Sequence, residues 1–140
     1  MNQTRSEPTL IRQGLLVEPD TTAAPLAAGD VAQLAASQCT PCGHVEFPRL
    51  SHCPTCGERA EPIGLATEAT LAGFSSVLHA PPGAGIEVPY DVGVAQFPEG
   101  ICVMGLLLGA AEDEPPILGA TLETVVAEVF PGCLSYAFQM

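Results

Sequence analysis

Two Cys-x-x-Cys pairs fall within one short stretch, CTPCGHVEFPRLSHCPTCG at residues 39–57, with residues 43–52 between them. Thiolates two residues apart on a tight turn reach neighbouring corners of a tetrahedron. A second such turn supplies the other two corners, which is the ligand set of a closed Zn²⁺ site. Cys39, Cys42, Cys53 and Cys56 are therefore the candidate metal ligands. Gly43 and Gly57 follow the pairs, where the chain must reverse with a positive φ and let amide N–H groups approach the sulfurs. Pro41 and Pro54 stiffen the two turns. Four sulfurs leave no coordination position for water, so the metal is expected to be structural. The same sulfurs suit a single iron, and a disulfide framework or a redox-active Cys-x-x-Cys is a further alternative. The short connection favours zinc, because it leaves little chain to wrap an iron site in apolar cover.

A ribbon this small cannot bury a core of its own, so the metal must supply its folding free energy. The whole chain, at 140 residues, makes one domain or one small domain with a metal-stapled appendage. Its formal charge is −12, with no lysine and only Arg5, Arg12, Arg49 and Arg59. Nucleic acid is not expected as a partner, since phosphate contacts come from Lys and Arg and an acidic surface repels a polyanion. Charged residues make up 14% of the sequence against about 25% in an average soluble domain, while hydrophobic residues reach 47%. Such a chain is expected to keep apolar surface exposed for a partner. The longest apolar run, residues 101–111, is too short and too broken by glycine to span a bilayer, and the polar N-terminus carries no signal-peptide core. Free thiols beside a thiolate metal site fit a reducing compartment, so a cytoplasmic location is expected.

Taken in order, residues 1–9 read as a polar tail. Leu10, Ile11, Leu15, Leu16 and Val17 form an apolar cluster around Gly14, either one helical turn or an extended arm lying on a partner. Residues 18–30 read as a Pro/Ala/Thr-rich linker anchored by Leu26, and residues 31–38 as a brief helical turn or strand feeding the ribbon. Val45, Glu46 and Phe47 form the hairpin segment, with Phe47-Pro48 placed to cap the metal site against the next domain. Beyond the connector after Gly57 the apolar period drops to two, which predicts strands at 69–78, 90–97, 101–108, 122–130 and 134–138. Gly73 reads as a bulge, and residues 98–100 as a hairpin turn that makes the second and third strands antiparallel neighbours. Tyr90, Val92, Val94 and Gln96 share one face of the second strand. The third is apolar on both faces, so one face must be core and the other covered by this chain or by a partner. Five antiparallel strands fit a small OB-type barrel. The fold class is thus all-β: an arm and linker over residues 1–33, a zinc ribbon over 34–60 and a barrel over 61–140.

A ribbon feeding a barrel in this order resembles the OB-fold family with an N-terminal rubredoxin-like zinc ribbon, companion subunits or domains of acyl-CoA enzymes. The resemblance rests on residues 39–57, on LATEATLAGFSSVLHAP, on PYDVGVAQFPEGICVMGLLLG, on PPILGATLETVVAEVF and on the closing YAFQ. It implies a non-catalytic subunit of a thiolase-fold acyl-CoA enzyme complex that makes or breaks carbon–carbon bonds at a coenzyme A thioester. The acyl-CoA would be bound mainly by the partner, and this chain would aid assembly and shape the acyl channel. Two alternatives stand beside it: a companion of a hot-dog-fold acyl-CoA hydratase, and a rubredoxin-like electron carrier. The family often has two prolines before the arginine where this chain has only Pro48 before Arg49, so Arg49 is either a solvated surface residue or a ligand or partner contact.

No residue is singled out as catalytic. His44 and His52 lie inside the ribbon as surface residues or as groups orienting the thiolates, and His79 follows the first barrel strand in a Pro/Gly loop. Buried structural thiols account for Cys102 and Cys133, and Glu99, Glu112, Asp113 and Glu114 sit in turns without a paired acid.

Overall fold

The computed structural model describes residues 10–11, 15–17, 26–79, 89–109, 115–130 and 132–140. The polar tail at 1–9, residues 18–25 of the linker, the loop after His79 and the acidic loop at 110–114 lie outside them. Among the described residues nine strands succeed one another: β1 (Leu10–Ile11), β2 (Ala35–Cys39), β3 (Val45–Glu46), β4 (Ala60–Gly64), β5 (Glu68–Val77), β6 (Tyr90–Gln96), β7 (Cys102–Leu108), β8 (Thr121–Phe130) and β9 (Cys133–Gln139). No helix among the described residues is long and apolar enough to cross a membrane.

β5 to β9 close on themselves in the order β9-β7-β6-β5-β8, with β8 returning to β9. This is the five-stranded all-β barrel expected from the period-two pattern. One seam differs from that expectation. β7 and β9 pair in parallel, Leu107 with Phe138 and Leu108 with Gln139, because β8 crosses the barrel before the chain comes back beside β7. The bulge falls as predicted, with register shifting between Leu71 and Gly73 against β6. The β6–β7 turn closes through Phe97 N–H to Ile101 O at 2.9 Å and Gly100 N–H to Phe97 O at 2.9 Å, with Gly100 at a φ of 93°. That is the left-handed position a three-residue hairpin loop assigns to glycine.

The barrel is narrow, and this decides which residues face inward. On β6 the inner face belongs to Gly93 and Ala95, leaving the bulkier Tyr90, Val92 and Val94 outside. A Cβ on Gly93 would stand 3.2 Å from Leu71 Cδ1 and 3.3 Å from Leu107 Cδ1. Opposite, Gly105 of β7 lies under the rings of Tyr136 and Phe138. On β7, Val103 and Leu107 point inward, while Met104 is 62% exposed on the other face.

The described parts of the N-terminal segment, residues 10–11 and 15–17, lie on this chain and contain no helical turn. β1 pairs in parallel with the start of β9, and Leu16 bridges to Leu34 and is buried. The end of the linker is also drawn in: Gly29 and Ala32 donate to Val126 O and Thr124 O of β8 at 2.8 and 3.0 Å. Leu26 packs against the core, as its isolation in a polar stretch suggested. One apolar cluster holds Leu16, Leu34 and Ala36 together with Leu71, Leu122, Val126 and Phe138, so the root of the ribbon shares the barrel's core.

Candidate metal centre

The ribbon is a three-stranded sheet, β3-β2-β4, whose ends carry two turns of the same construction. In the first, Cys39 N–H donates to His44 O at 2.8 Å and Gly43 N–H to Cys39 O at 2.8 Å. In the second, Cys53 N–H donates to Glu58 O at 2.7 Å and Gly57 N–H to Cys53 O at 2.8 Å. Gly43 and Gly57 adopt φ values of 77° and 80°, the reversal that their place behind each pair demands.

These turns bring the four predicted sulfurs together, all within 4.8 Å of one another. Cys39 Sγ lies 3.4 Å from Cys56 Sγ and Cys42 Sγ 3.6 Å from Cys53 Sγ. The edge of a tetrahedron built on a Zn–S bond of about 2.3 Å is about 3.8 Å, which falls between these two contacts and the 4.8 Å limit of the cluster, so small shifts of the sulfurs would seat the ion. Among the described residues no other group of histidines, cysteines or carboxylates is arranged to hold a metal.

The two turns differ in one donor. Thr55 N–H points at Cys53 Sγ, 3.4 Å away, whereas the equivalent position of the first turn is Pro41, which has no N–H. At Cys39 the Cys42 amide favours the thiolate, but burial and the other three sulfurs outweigh it and push the thiol up to about 12. At Cys53 burial opposes ionisation, yet the amides of Cys56 and Thr55 and the neighbouring thiols bring it down to about 6. Between those two values the Cys39 proton at least must leave for each metal that binds. Affinity is therefore expected to fall by at least about tenfold for each pH unit lost, and more steeply below about 6, where Cys53 is protonated too. Competition against a chromogenic chelator, corrected for its own protonation, measures this. A pH-independent affinity would contradict it.

Neither ribbon histidine orients a thiolate: His44 Nε2 pairs with Glu46 Oε1 at 2.7 Å, and His52 Nδ1 with Ser51 Oγ at 3.3 Å. Phe47 packs edge-on against Tyr136 of β9, with ring centroids 5.7 Å apart, so it does meet the barrel. Arg49 is a strap. Its Nε donates to Ala36 O at 2.8 Å and its Nη2 to Ile63 O at 2.9 Å, joining β2 to the end of β4, while Leu50 N–H donates to the buried Ser37 Oγ at 3.1 Å. No local sequence pattern discloses this, because both acceptors are main-chain carbonyls brought near only by the fold. Arg49→Lys cannot span both carbonyls, and about 1–3 kcal/mol of stability should go with the lost bonds, to be read by urea unfolding. Glu99 also proves structural, its Oε2 accepting from Ala66 N–H at 3.0 Å.

Neither thiol outside the centre is buried as expected. Cys102 is exposed, because inward-facing Val103 turns its neighbour outward, and Cys133 is half-buried at the start of β9. His79 is exposed beyond the end of β5.

Residues 27–61 match the family model described as "ChsH2, rubredoxin-like zinc ribbon domain", and residues 63–127 the one described as "ChsH2, C-terminal OB-fold domain". The chain belongs to the ChsH2-type zinc-ribbon OB-fold family. Both parts follow one another in this ChsH2-type chain with hardly a gap, although β9 lies beyond the matched barrel region. A curated relative, "Benzoylsuccinyl-CoA thiolase subunit BbsA" of Thauera aromatica, is 37% identical over 93 residues, covering 66% of this chain and 62% of its own length. The chain thus spans about three fifths of that relative. A solved chain from "Ltp2-ChsH2(DUF35) aldolase" superposes with a TM-score of 0.63 at 24% identity over 76% of this chain and 84% of its own, and shows the same fold.

Proposed function

We propose that this chain is the zinc-bearing, non-catalytic subunit of a thiolase-fold acyl-CoA enzyme complex that acts on a carbon–carbon bond at a coenzyme A thioester. The observation that carries the reading is the similarity to a thiolase subunit. In the proposal, Cys39, Cys42, Cys53 and Cys56 hold a structural Zn²⁺, which fixes the two turns and leaves no open position for a reacting group. The partner binds most of the acyl-CoA and performs the chemistry in the cytoplasm, and this chain supports assembly and shapes the acyl channel.

A surface feature supports a subunit role. The outward residues of β6 and β7, including Tyr90, Val92, Val94, Met104, Leu106 and Leu108, contain no charged side chain, and the pairs Val94–Met104 and Val92–Leu106 stand side by side in register. In a chain of net charge −12, an uncharged and largely apolar strand face, with Met104 62% exposed on it, suits the centre of an interface. Neither similar protein is described as a hydratase or an electron carrier.

Purification of the tagged chain from its native host, followed by mass spectrometry, tests the proposal. A thiolase-fold chain in stoichiometric amount is the expected companion. A hot-dog-fold hydratase in its place, or a chain that emerges alone, overturns the reading.

A further inference from the structure

Two of the four arginines converge on one cleft. Arg49, from the segment after β3, and Arg59, from just before β4, both line a cavity of about 440 Å³ that also takes in Ser51 and Glu61. The walls are fixed to each other, since Ala60 N–H donates to Ser51 O at 2.9 Å and His52 bridges to Arg59 through the main chain. The chain carries sixteen acidic residues against four basic ones, so carboxylate partners are abundant. Yet among the described residues neither arginine pairs with a carboxylate, and Glu61 shares the cleft without forming an ion pair. Arg49 spends Nε and Nη2 on main-chain carbonyls, which hold its guanidinium plane without neutralising its charge. The Arg59 side chain makes no hydrogen bond or ion pair among the described residues.

One guanidinium is held in place and a second stands beside the same space unneutralised. We propose that this cleft binds the phosphate end of a small phosphorylated ligand, with Arg49 as the fixed half of a clamp and Arg59 as the half that closes on it. Guanidinium forks match phosphate oxygens two at a time, and a pair of them suits a dianion better than a singly charged carboxylate. The cavity falls within the range of small-molecule sites and exceeds what a lone phosphate fills, so the phosphate is carried on a larger organic body. The net charge of −12 does not forbid this. At physiological salt, charges more than about 8 Å away are largely screened, while guanidiniums in contact with the ligand are not.

The cleft lies wholly on this chain, so the test needs no partner and is independent of the companion-subunit reading. The zinc-loaded full chain is titrated calorimetrically with pyrophosphate and with ADP at about 0.15 M salt. One-to-one binding of at least one probe is expected, weakened at least about fivefold in Arg59→Gln and less in Arg59→Lys, with zinc content unchanged in both. ADP binding more tightly than pyrophosphate supports the proposal and shows that the organic body is also held; equal affinities support it with the phosphate as the group recognised. Failure of both probes to bind, or binding indifferent to Arg59→Gln, overturns it. If neither probe binds but Arg59→Gln releases a co-purifying protein, the cleft is a protein contact and the proposal falls.

Discussion

Cys39→Ala is expected to lower bound zinc from one ion per chain to below about a tenth of that and to unravel the ribbon while the barrel stays folded. Cys39 supplies one of the two buried sulfurs and ends β2, the middle strand of the ribbon sheet. With a ligand gone, nothing local replaces it. The residues between the turns are mostly exposed, and structural zinc contributes roughly 10–16 kcal/mol to domains folded by it. The barrel keeps its own closed ladder and most of the shared core. Metal analysis with amide hydrogen exchange separates the two parts. The amides of Cys53 and Gly57, which close the second turn, should lose protection, whereas those of β8 and β9 should keep it. On the proposed function the variant also loses its partner. Retention of zinc and of protected ribbon amides would show that the metal does not hold this part together.

Phe138→Ala is expected to cost about 3–5 kcal/mol, the loss of a large aromatic from a site with no solvent exposure. Phe138 stands at the parallel β7–β9 seam, 6.0 Å from the Phe97 ring and 5.7 Å from that of Tyr136, so its removal opens space where the barrel closes. Gly105→Ala approaches the same place from the other strand. Its Cβ would lie 2.9 Å from Phe138 Cε2 and 2.7 Å from Tyr136 Cε2, and the overpacking should cost about 1–3 kcal/mol. Because the first change vacates part of the volume the second invades, the double variant should lose less than the sum of the two. Urea unfolding of the three proteins gives the comparison, and strict additivity would mean that the ring and the glycine do not share the strain.

The metal quartet was legible because its spacing is local: each pair and its glycine are defined within five residues. The barrel strands were legible for a similar reason, as period-two runs broken by turns. Orientation was harder. The sequence puts Tyr90, Val92 and Val94 on one face of β6 but does not say which face turns inward; the narrow interior admits Gly93 and Ala95, and barrel width is not written in any one strand. The same parity places Cys102 outside. Long-range pairings were also hidden. β1 beside β9, the end of the linker along β8 and the Arg49 strap across β2 and β4 join segments that carry no mutual signal in the sequence.

The close sulfur contacts cross between the turns. Buried Cys39 is 3.4 Å from exposed Cys56, and buried Cys53 is 3.6 Å from exposed Cys42. An oxidant arriving from solvent meets an exposed thiol first, and a sulfur of the opposite Cys-x-x-Cys pair lies within 3.6 Å of it. Loss of two electrons to that oxidant would then join Cys39 to Cys56 or Cys42 to Cys53 and expel the metal. Oxidative damage would therefore replace one clasp between the two turns with another, and the ribbon would emerge demetallated but still tied shut.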